Sequence, residues 1–342
     1  MVRAGNSHSL LKILCKTGLF CSLLGAVAVA DEVLPETEAA NLFERISNAF
    51  RQNNYDGVFV YSHGNNMESL RIVHRIDNDV ERERIVRMDG PDHELIRDGD
   101  QVTCVHSADW HGDVNHRIPA GPFAKAFIRD VSNSSTGYQV KLLGEARVVD
   151  RNALSFAIKP KDEFRYGYQI WLDKETGLLL KSVLLHGNRV LERFQFTQLD
   201  LASEITDEDL SLGIKGKVFK HHPLLLADAD SQTIEQKQSN WKLTWMPKGF
   251  IMRVQGVRRD RDGDAQADTL TYSDGMTAFS VFIEKASEGM HESVATQKGA
   301  TVAVARVIRS SSGNHFVTVV GEVPLNTAQR IAASVVPVGE PE

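Results

Sequence analysis

The stretch RYGYQIWLDKETGLLLKSVLLHGNRVLERFQFTQL, from Arg165 to Leu199, decides the fold because it predicts three consecutive antiparallel strands. Two groups of turn residues divide it, namely Asp173 to Gly177 and then Gly187 with Asn188. Turns this short leave no room for a crossover helix, so the strands must be antiparallel neighbours. Apolar side chains occur on both faces, whereas a sheet with one wet face alternates apolar with polar residues. Both faces are therefore expected to be covered or occupied.

The same strand-and-turn pattern extends over most of the first 200 residues. Two segments, residues 37–51 and 122–131, instead have apolar side chains at helical spacing. In the second quoted strand, simple alternation puts Leu180 and Leu184 on one face and Leu179 on the other. A large curved antiparallel sheet, with the two short helices on its concave side, accounts for this pattern. The further strand-like runs are GVFVYSHG (57–64), SLRIVHRI (69–76), VERERIVRMD (80–89), HELIRDG (93–99), QVTCVHS (101–107), YQVKLLGEARVV (138–149) and ALSFAIKP (153–160).

A second domain is expected after a polar segment with little hydrophobic periodicity. Residues 202–240 have this character and are predicted to form an interdomain linker. Strand-like runs resume at WKLTWMP (241–247) and end at HFVTVVGEV (315–323), before the helical run PLNTAQRIAASV (324–335). The predicted fold class is therefore α+β, with a larger domain over 31–201 and a smaller one over 241–337.

The N-terminus has the layout of a secretory signal peptide. Arg3, Lys12 and Lys16 form a basic leader, and an apolar run covers residues 19–29. The small residues around Ala30 predict cleavage after it, which would leave a mature chain from residue 31. The run is too short for a spanning helix, and no later segment approaches that length. We therefore expect export, with membrane association only through a partner.

Charge and cysteine content exclude several classes of protein. Residues 1–30 hold three basic and no acidic side chains, so the mature chain keeps 36 Lys and Arg against 45 Asp and Glu, a net charge of −9. This balance argues against nucleic acid or anionic membrane as a general partner. Cleavage leaves Cys104 as the single cysteine, so no intramolecular disulfide is expected. Its strand-like setting predicts a buried, inert thiol.

Motifs for catalysis are absent from the sequence, and no cofactor is predicted. There is no G-x-S-x-G, H-E-x-x-H, glycine-rich phosphate loop or C-x-x-C. Two clusters leave a metal open as the alternative. The histidines His106, His111 and His116 have a spacing of five, which suits a solvated loop better than zinc. The acidic run from Asp260 to Asp268 suits a hairpin turn better than a calcium loop.

Aromatic side chains and arginines supply the candidate binding residues. Two short helices do not easily cover the concave side of so large a sheet, and an underfilled apolar concavity suits acyl chains. The arginines of the 69–99 strands are expected to pair with Glu81 and Glu83 on a solvated face, or to meet phosphate groups or an acidic partner segment. The lipid-cavity candidates are Phe59, Tyr61, Phe123, Phe127, Tyr168, Trp171, Phe194 and Phe196. The anionic-group or partner candidates are Arg71, Arg75, Arg82 and Arg84.

Three stretches also resemble a known family. GVFVYSHG, the quoted 165–199 run, and FSVFIEK followed by TVVGEVPLNTAQRIAASVVP resemble the MucB/RseB family of periplasmic regulators of the extracytoplasmic stress sigma factor. The resemblance extends from about residue 40 to 337. It implies an N-terminal domain similar to the lipoprotein carriers LolA and LolB, an antiparallel half-barrel around an apolar cavity, and a smaller C-terminal domain.

The resemblance also implies partners and a regulatory role. Such proteins bind the periplasmic part of an RseA/MucA-type anti-sigma factor, shield it from regulated proteolysis, and release it when lipid, lipopolysaccharide or lipoprotein ligands bind. The expected function is thus that of a non-enzymatic periplasmic sensor and negative regulator. The alternatives are a lipid or lipoprotein carrier without a regulatory partner, and a hydrolase or metal enzyme that uses the histidine cluster. The oligomeric state stays open, a homo-oligomer included.

Overall fold

The computed structural model describes residues 32–78, 80–90, 93–99, 101–107, 137–201, 204–221, 234–235, 237–259, 266–286 and 294–339. Within these ranges, no helix combines the length and apolarity that crossing a bilayer requires. The sequence predictions that fall outside them are the leader 1–30, the helix 122–131 with Phe123 and Phe127, the histidines His111 and His116, and residues 260–265 of the acidic run.

The larger sheet is antiparallel and has twelve strands within the described part of the chain. Its spatial order is β1-β7-β8-β9-β10-β11-β2-β3-β4-β5-β6-β12, so most sequence neighbours also pair in space. This confirms the antiparallel arrangement that the short turns predicted. The strands are β1 (Glu32–Val33), β2 (Tyr55–His63), β3 (Asn66–Asp77), β4 (Val80–Arg87), β5 (His93–Asp98), β6 (Gln101–Ser107), β7 (Tyr138–Val148), β8 (Arg151–Pro160), β9 (Gly167–Asp173), β10 (Leu179–His186), β11 (Arg189–Asp200) and β12 (Gly216–His221).

Helix α1 (Glu36–Gln52) packs on one face of this sheet, which we call the inner face. Glu36 and Glu38 lie in its first turn, where carboxylates interact favourably with the helix dipole. Leu42, Phe43 and Phe50 are buried against the aromatic residues of the sheet and form the main core of the first domain. Their spacing is that of one helical stripe, as the sequence predicted.

The opposite, outer face also buries apolar side chains. Val148, Ala153 and Leu180 form a separate buried cluster there, with Trp171 packed against it. Farther along the sheet, Val73 lies in a third buried cluster with two residues of the chain that follows β11, Ile205 and Leu210. The inner face is thus covered by α1, and part of the outer face by the chain that follows β11.

The second domain contains a seven-stranded antiparallel sheet within the described residues, in the order β13-β15-β16-β17-β20-β19-β18. Helix α2 (Leu325–Ala333) packs on β19 and β20 and buries Ala328, Ile331 and Ala332. A two-stranded ribbon lies beside it, formed by β14 (Trp241–Leu243) and β21 (Val335–Pro337). The sheet strands are β13 (Ile234–Glu235), β15 (Ile251–Arg259), β16 (Gln266–Ser273), β17 (Ala278–Lys285), β18 (Val294–Lys298), β19 (Thr301–Ser310) and β20 (Gly313–Gly321).

The described residues are therefore mostly β-structure, with two helices and a separate C-terminal sheet domain. The segment 202–240, predicted as a linker, contains strands of both sheets. β12 pairs with β6 at the edge of the first sheet, and β13 pairs with β15 in the second. The sequence pattern missed them because strands at a sheet edge need little hydrophobic periodicity.

Candidate functional site

An apolar pocket opens on the inner face of the first sheet, beside α1 and the second domain. Its volume is about 750 Å³, which includes the space at the open mouth. Helix α1 contributes Phe43 and Ile46, and β9 contributes Tyr168 and Ile170. A concave site with mainly apolar walls is typical of sites for apolar ligands. The other apolar side chains of the first domain that line it are Tyr61, Ile158, Leu179, Leu184 and Phe194.

A β-bulge in β10 determines which of its leucines face the pocket. Leu179 and Lys181 are two residues apart in β10 but pair with adjacent residues of β9. Leu184 pairs with Tyr168 and both line the pocket, whereas Leu180 lies in the outer-face cluster. The expectation that Leu180 and Leu184 share a face is therefore wrong, because one extra residue reverses the direction of the side chains that follow it.

Three of the eight predicted lipid-cavity residues line this pocket: Tyr61, Tyr168 and Phe194. Phe59 and Phe196 instead belong to the buried core beside Phe194, at ring-centroid distances of 5.1 and 5.2 Å. Trp171 lies on the outer face, where the Lys181 Nζ atom is 4.6 Å from its ring centroid. Its position follows from the period of two, which turns it away from Tyr168 and Ile170. The remaining two, Phe123 and Phe127, lie outside the described residues.

Sequence reasoning missed the contribution of the second domain to the pocket. Gly275 and Met276, on the turn between β16 and β17, form part of its wall. Met276 also packs against the main core of the first domain. No signal in the sequence pairs a turn near residue 275 with strands near residue 170, because this contact exists only once the two domains are docked.

A polar side chain at the pocket also connects the two domains. Glu192 is 8% exposed, and its Oε1 atom accepts a hydrogen bond of 2.7 Å from the backbone N–H of Ala300. Ala300 and the adjacent Gly299 form the turn between β18 and β19. Gly299 has φ of +59°, and a Cβ atom there would lie 2.6 Å from Glu192 Oε1, so the close approach requires glycine. Burial and the neighbouring Glu192 carboxylate raise the pKa of the Tyr61 hydroxyl.

A buried ion pair joins the domains next to the pocket. The Arg165 Nη1 atom donates to Asp274 Oδ2 at 2.7 Å, and both side chains are 0% exposed. Arg165 also donates to Asp162 within the first domain and to the carbonyl of Lys248 in the second, at 2.6 Å. Gly137 leaves the room that the guanidinium needs, since a Cβ atom there would lie 1.9 Å from Nη1. Nη1 and Nη2 thus each donate across the boundary, while Nε and Nη2 also donate to Asp162 on the near side of it.

Aromatic contacts extend this boundary, which we call the domain seam: Asp162, Phe164, Arg165 and Tyr166 of the first domain against Trp245, Lys248, Asp274, Val323 and Arg330 of the second. The Tyr166 hydroxyl donates to the carbonyl of Val323 at 2.9 Å. Phe164 meets Trp245 at 5.1 Å between ring centroids. The guanidinium of Arg330 lies 3.9 Å from the Trp245 centroid, a favourable cation–π geometry.

The four candidate arginines of the 69–99 strands lie on the outer face and are already paired within the chain. Arg71 forms two hydrogen bonds with Asp56, at 3.0 and 2.6 Å. Arg75 and Arg82 both contact Asp207, which belongs to the segment after β11. These ion pairs hold residues 204–213 against the sheet. Arg84 does the same through the carbonyl of Asp209 at 3.2 Å, and it also pairs with Glu94 of β5 at 2.8 Å, which in turn accepts the backbone N–H of Gly213. Whether these arginines also meet a partner stays a prediction.

Glu83 corrects the expectation that both glutamates of this region lie on the solvated face. It is 1% exposed on the inner face, and neither carboxylate oxygen has a hydrogen-bond partner among the described residues. Burial raises the pKa of Glu83 to about 7, despite the opposing charge of Arg97. His74, its cross-strand neighbour, donates a hydrogen bond of 2.9 Å from Nδ1 to the Asn53 carbonyl, and burial lowers the pKa of His74 to about 4.

The histidine cluster and the lone thiol complete the predicted sites. His106 stacks on His93 of the adjacent strand, with ring centroids 4.0 Å apart. Within the described ranges, no group of three His, Cys, Asp or Glu side chains has the spacing to hold a metal ion. Cys104 is half-buried on β6 rather than fully buried.

Comparisons with known proteins agree on one family over nearly the whole chain. The family model of the MucB/RseB N-terminal domain matches residues 38–213, and that of the MucB/RseB C-terminal domain matches residues 235–336. The chain is 36% identical over 311 residues to the sigma factor AlgU regulatory protein MucB of Pseudomonas aeruginosa, covering 89% of this chain and 93% of the relative. It is 26% identical over 298 residues to the sigma-E factor regulatory protein RseB of Escherichia coli K12, covering 86% and 89%.

Solved structures give the same result. The complex of Pseudomonas aeruginosa MucA and MucB contains a chain with a TM-score of 0.71 and 33% identity, covering 89% of this chain and 100% of that one. A crystal structure of MucB in complex with MucA(peri) has a TM-score of 0.69 at 32% identity, covering 88% and 100%. These relatives are regulatory proteins rather than enzymes. The chain therefore belongs to the MucB/RseB family of sigma-factor regulatory proteins.

Proposed function

We propose that this protein is exported to the periplasm, where it binds the periplasmic segment of an RseA/MucA-type anti-sigma factor. By covering that segment it protects the anti-sigma factor from regulated proteolysis, so that the envelope-stress sigma factor stays inactive. The observation that carries the proposal is the similarity over both domains, at 36% identity, to MucB, a protein solved in complex with MucA.

The pocket supports the second half of the proposal, a response to acyl ligands. Its walls are mostly apolar, and an apolar concavity suits an acyl chain. The ligand source would be lipid, lipopolysaccharide or lipoprotein. Occupancy of the pocket would favour a domain arrangement with lower affinity for the anti-sigma segment. The two binding events then weaken each other by the same factor, as linkage requires.

Calorimetric titration of residues 31–342 with the periplasmic segment of the anti-sigma factor from the same organism tests the first half. We expect saturable binding, and slower cleavage of the segment by its site-specific protease when this protein is present. An unrelated periplasmic segment of equal length and charge serves as the control. Absence of binding to the cognate segment would contradict the proposal.

A second candidate function, a carrier of acylated molecules, is favoured by the same pocket. It requires the pocket but no regulatory partner. A protein that binds acyl ligands and not the anti-sigma segment would be such a carrier. Because the second domain provides part of the pocket wall through Gly275 and Met276, removing that domain would also alter the ligand site.

A further inference from the structure

Met276 is the side chain through which the second domain reaches the pocket. It lies on the turn between β16 and β17, lines the pocket with Gly275, and packs against the core of the first domain. The other described residues of the pocket wall belong to the first domain. An occupant that extends along the pocket to its second-domain wall must therefore meet Met276.

The turn that carries Met276 is held rigid by its own hydrogen bonds. Asp274 Oδ1 accepts the backbone N–H groups of Met276 and Thr277, each at 2.9 Å. Ser273 Oγ donates to the Thr277 carbonyl at 2.8 Å and accepts the Gly275 N–H at 3.0 Å. Gly275 has φ of +91°, which other residues adopt only with strain. A displacement of the Met276 backbone would consequently carry Asp274 with it.

Asp274 uses its other oxygen to hold the domain seam. Oδ1 organises the turn, while Oδ2 accepts from Arg165 at 2.7 Å in a site where both side chains are 0% exposed. A single carboxylate thus connects the position of Met276 to the contact between the domains. Thr277 adds a second link within the second domain, because its hydroxyl donates to the Glu322 carbonyl at 2.6 Å, next to the Val323 carbonyl that accepts from Tyr166.

We propose that the turn Ser273–Thr277 senses pocket occupancy: an acyl chain that reaches the second-domain wall displaces Met276, separates Asp274 from Arg165 and opens the domain seam. This inference rests on the proposed function, since it assigns the ligand response of the same pocket to named residues. The buried ion pair makes the response nearly all-or-none, because a half-separated pair leaves the Asp274 carboxylate without a compensating charge out of water. By reciprocity, the closed seam weakens acyl binding.

One property of methionine gives the competing outcome. Its unbranched side chain has several rotatable bonds and adapts easily to irregular space. If the Met276 side chain rotates aside while the turn stays in place, an acyl chain binds without any change at the seam. The two outcomes predict different distances between the domains and different effects of Met276→Ala on ligand affinity. The distance and the affinity are therefore both measured.

The experiment uses the mature full-length chain with laurate, a single acyl chain, as the probe. Spin labels at Arg189→Cys and Asn314→Cys, in a Cys104→Ser background, report the distance between the exposed β10–β11 and β19–β20 hairpins of the two domains. Laurate affinity and the label distance are measured for the unsubstituted chain and Met276→Ala. Met252→Ala is the matched control, because Met252 is 45% exposed on the second domain and does not line the pocket.

We expect laurate to increase the distance between the labels in the unsubstituted chain and in Met252→Ala. Met276→Ala should bind laurate about 5-fold more tightly or better, since the ligand no longer has to open the seam, and should show a much smaller change in distance. The double variant Arg165→Met with Asp274→Asn removes both charges of the pair. It should have the larger distance without laurate, and it provides a test that does not depend on Met276→Ala folding.

Three results would overturn the inference. Equal laurate affinity and equal distance changes in Met276→Ala and the unsubstituted chain would exclude Met276 as the sensor. Laurate binding with no distance change in any variant would favour rotation of the Met276 side chain. Failure of the unsubstituted chain to bind laurate would exclude both the inference and the acyl half of the proposed function. The anti-sigma half would survive that result, because it is tested by the separate titration with the segment.

Discussion

Arginine–aspartate ion pairs occur in two different environments in this protein, at the domain seam and on the outer face of the first sheet. At the seam, Arg165 and Asp274 are both 0% exposed. On the outer face, Arg71 is 40% exposed and its partner Asp56 27%. Both are close, well-aligned pairs, with N–O distances of 2.7 and 2.6 Å. They differ in the water that remains around them, and therefore in what happens when one partner is lost.

A charge that stays in water after its partner is removed costs little, whereas a charge that stays buried costs several times more. A buried pair is for that reason a poor source of stability but a good switch, since it tolerates the fully closed or the fully open state and little between them. The buried pair at the seam therefore has the electrostatic character expected of an element that couples the two domains. The ion pairs of the outer face serve instead to hold residues 204–213 against the sheet.

The largest effect is expected from Arg165→Met, which leaves Asp274 buried without its partner. The free energy of unfolding should fall by about 3–5 kcal/mol, measured by urea denaturation. The double variant with Asp274→Asn should lose much less, because the asparagine Oδ1 can still accept the turn hydrogen bonds and no charge is left buried. Equal losses in the single and double variants would show that Arg165 acts through packing alone, and the comparison would fail.

Glu83 sharpens the comparison, because it is buried without a hydrogen-bond partner among the described residues. Its pKa of about 7, against an ordinary 4.5, means that the folded chain keeps a proton that the unfolded chain has lost between those two pH values. Stability from this group is therefore fully present below about pH 4.5 and is lost as the pH rises through about 7.

Glu83→Gln removes this dependence. The variant should be more stable than the unsubstituted chain by up to about 3 kcal/mol at pH 8, and its advantage should disappear towards pH 4. Urea denaturation of both chains across this range measures the difference. Taking the difference also cancels the contribution of His74, whose pKa of about 4 acts in the opposite direction between pH 4 and its ordinary value of 6.5. A difference that does not change with pH would contradict the assignment.

The smallest effect on stability is expected from Arg71→Gln, which breaks an exposed pair. The free energy of unfolding should change by less than about 1 kcal/mol. If the outer-face arginines also meet an acidic partner segment, Arg71→Gln should weaken that binding and reduce its dependence on salt. Arg309→Gln in the second domain is a charge-matched control. A loss of several kcal/mol in stability would instead show that the Arg71 pair behaves energetically like the buried pair at the seam, which would contradict the comparison.

The strands of the first sheet could be predicted because apolar and polar residues alternate regularly along them. The positions at which this alternation is interrupted could not be predicted. The turns within residues 165–199 were short enough to require antiparallel neighbours, and β9, β10 and β11 pair in that way. The bulge between Leu179 and Lys181 leaves no mark in the sequence, since either register keeps leucines on both faces. It nevertheless selects Leu184 over Leu180 for the pocket.

The residues of the site were harder to predict because their environment comes from distant parts of the chain. The stretch ERERIVR was expected to form a solvated face. Glu83 instead lies on the inner face of the sheet, as Ile85 does, and both side chains are buried there. Tyr61, Tyr168 and Phe194 line the pocket, and they were proposed as lipid contacts because two short helices leave the concave side of the sheet underfilled; that role stays a prediction. Met276 was missed, since a turn residue is recognised as a pocket wall only after two domains are docked.

Reciprocity between acyl ligand and anti-sigma segment is the most direct test of the account. The dissociation constant of the segment is measured with and without saturating acylated ligand, and that of the ligand with and without saturating segment. We predict that each weakens the other by the same factor, about 5- to 150-fold for a coupling of ~1–3 kcal/mol. Simultaneous binding with both dissociation constants unchanged would contradict the claim that pocket occupancy controls the affinity for the anti-sigma segment.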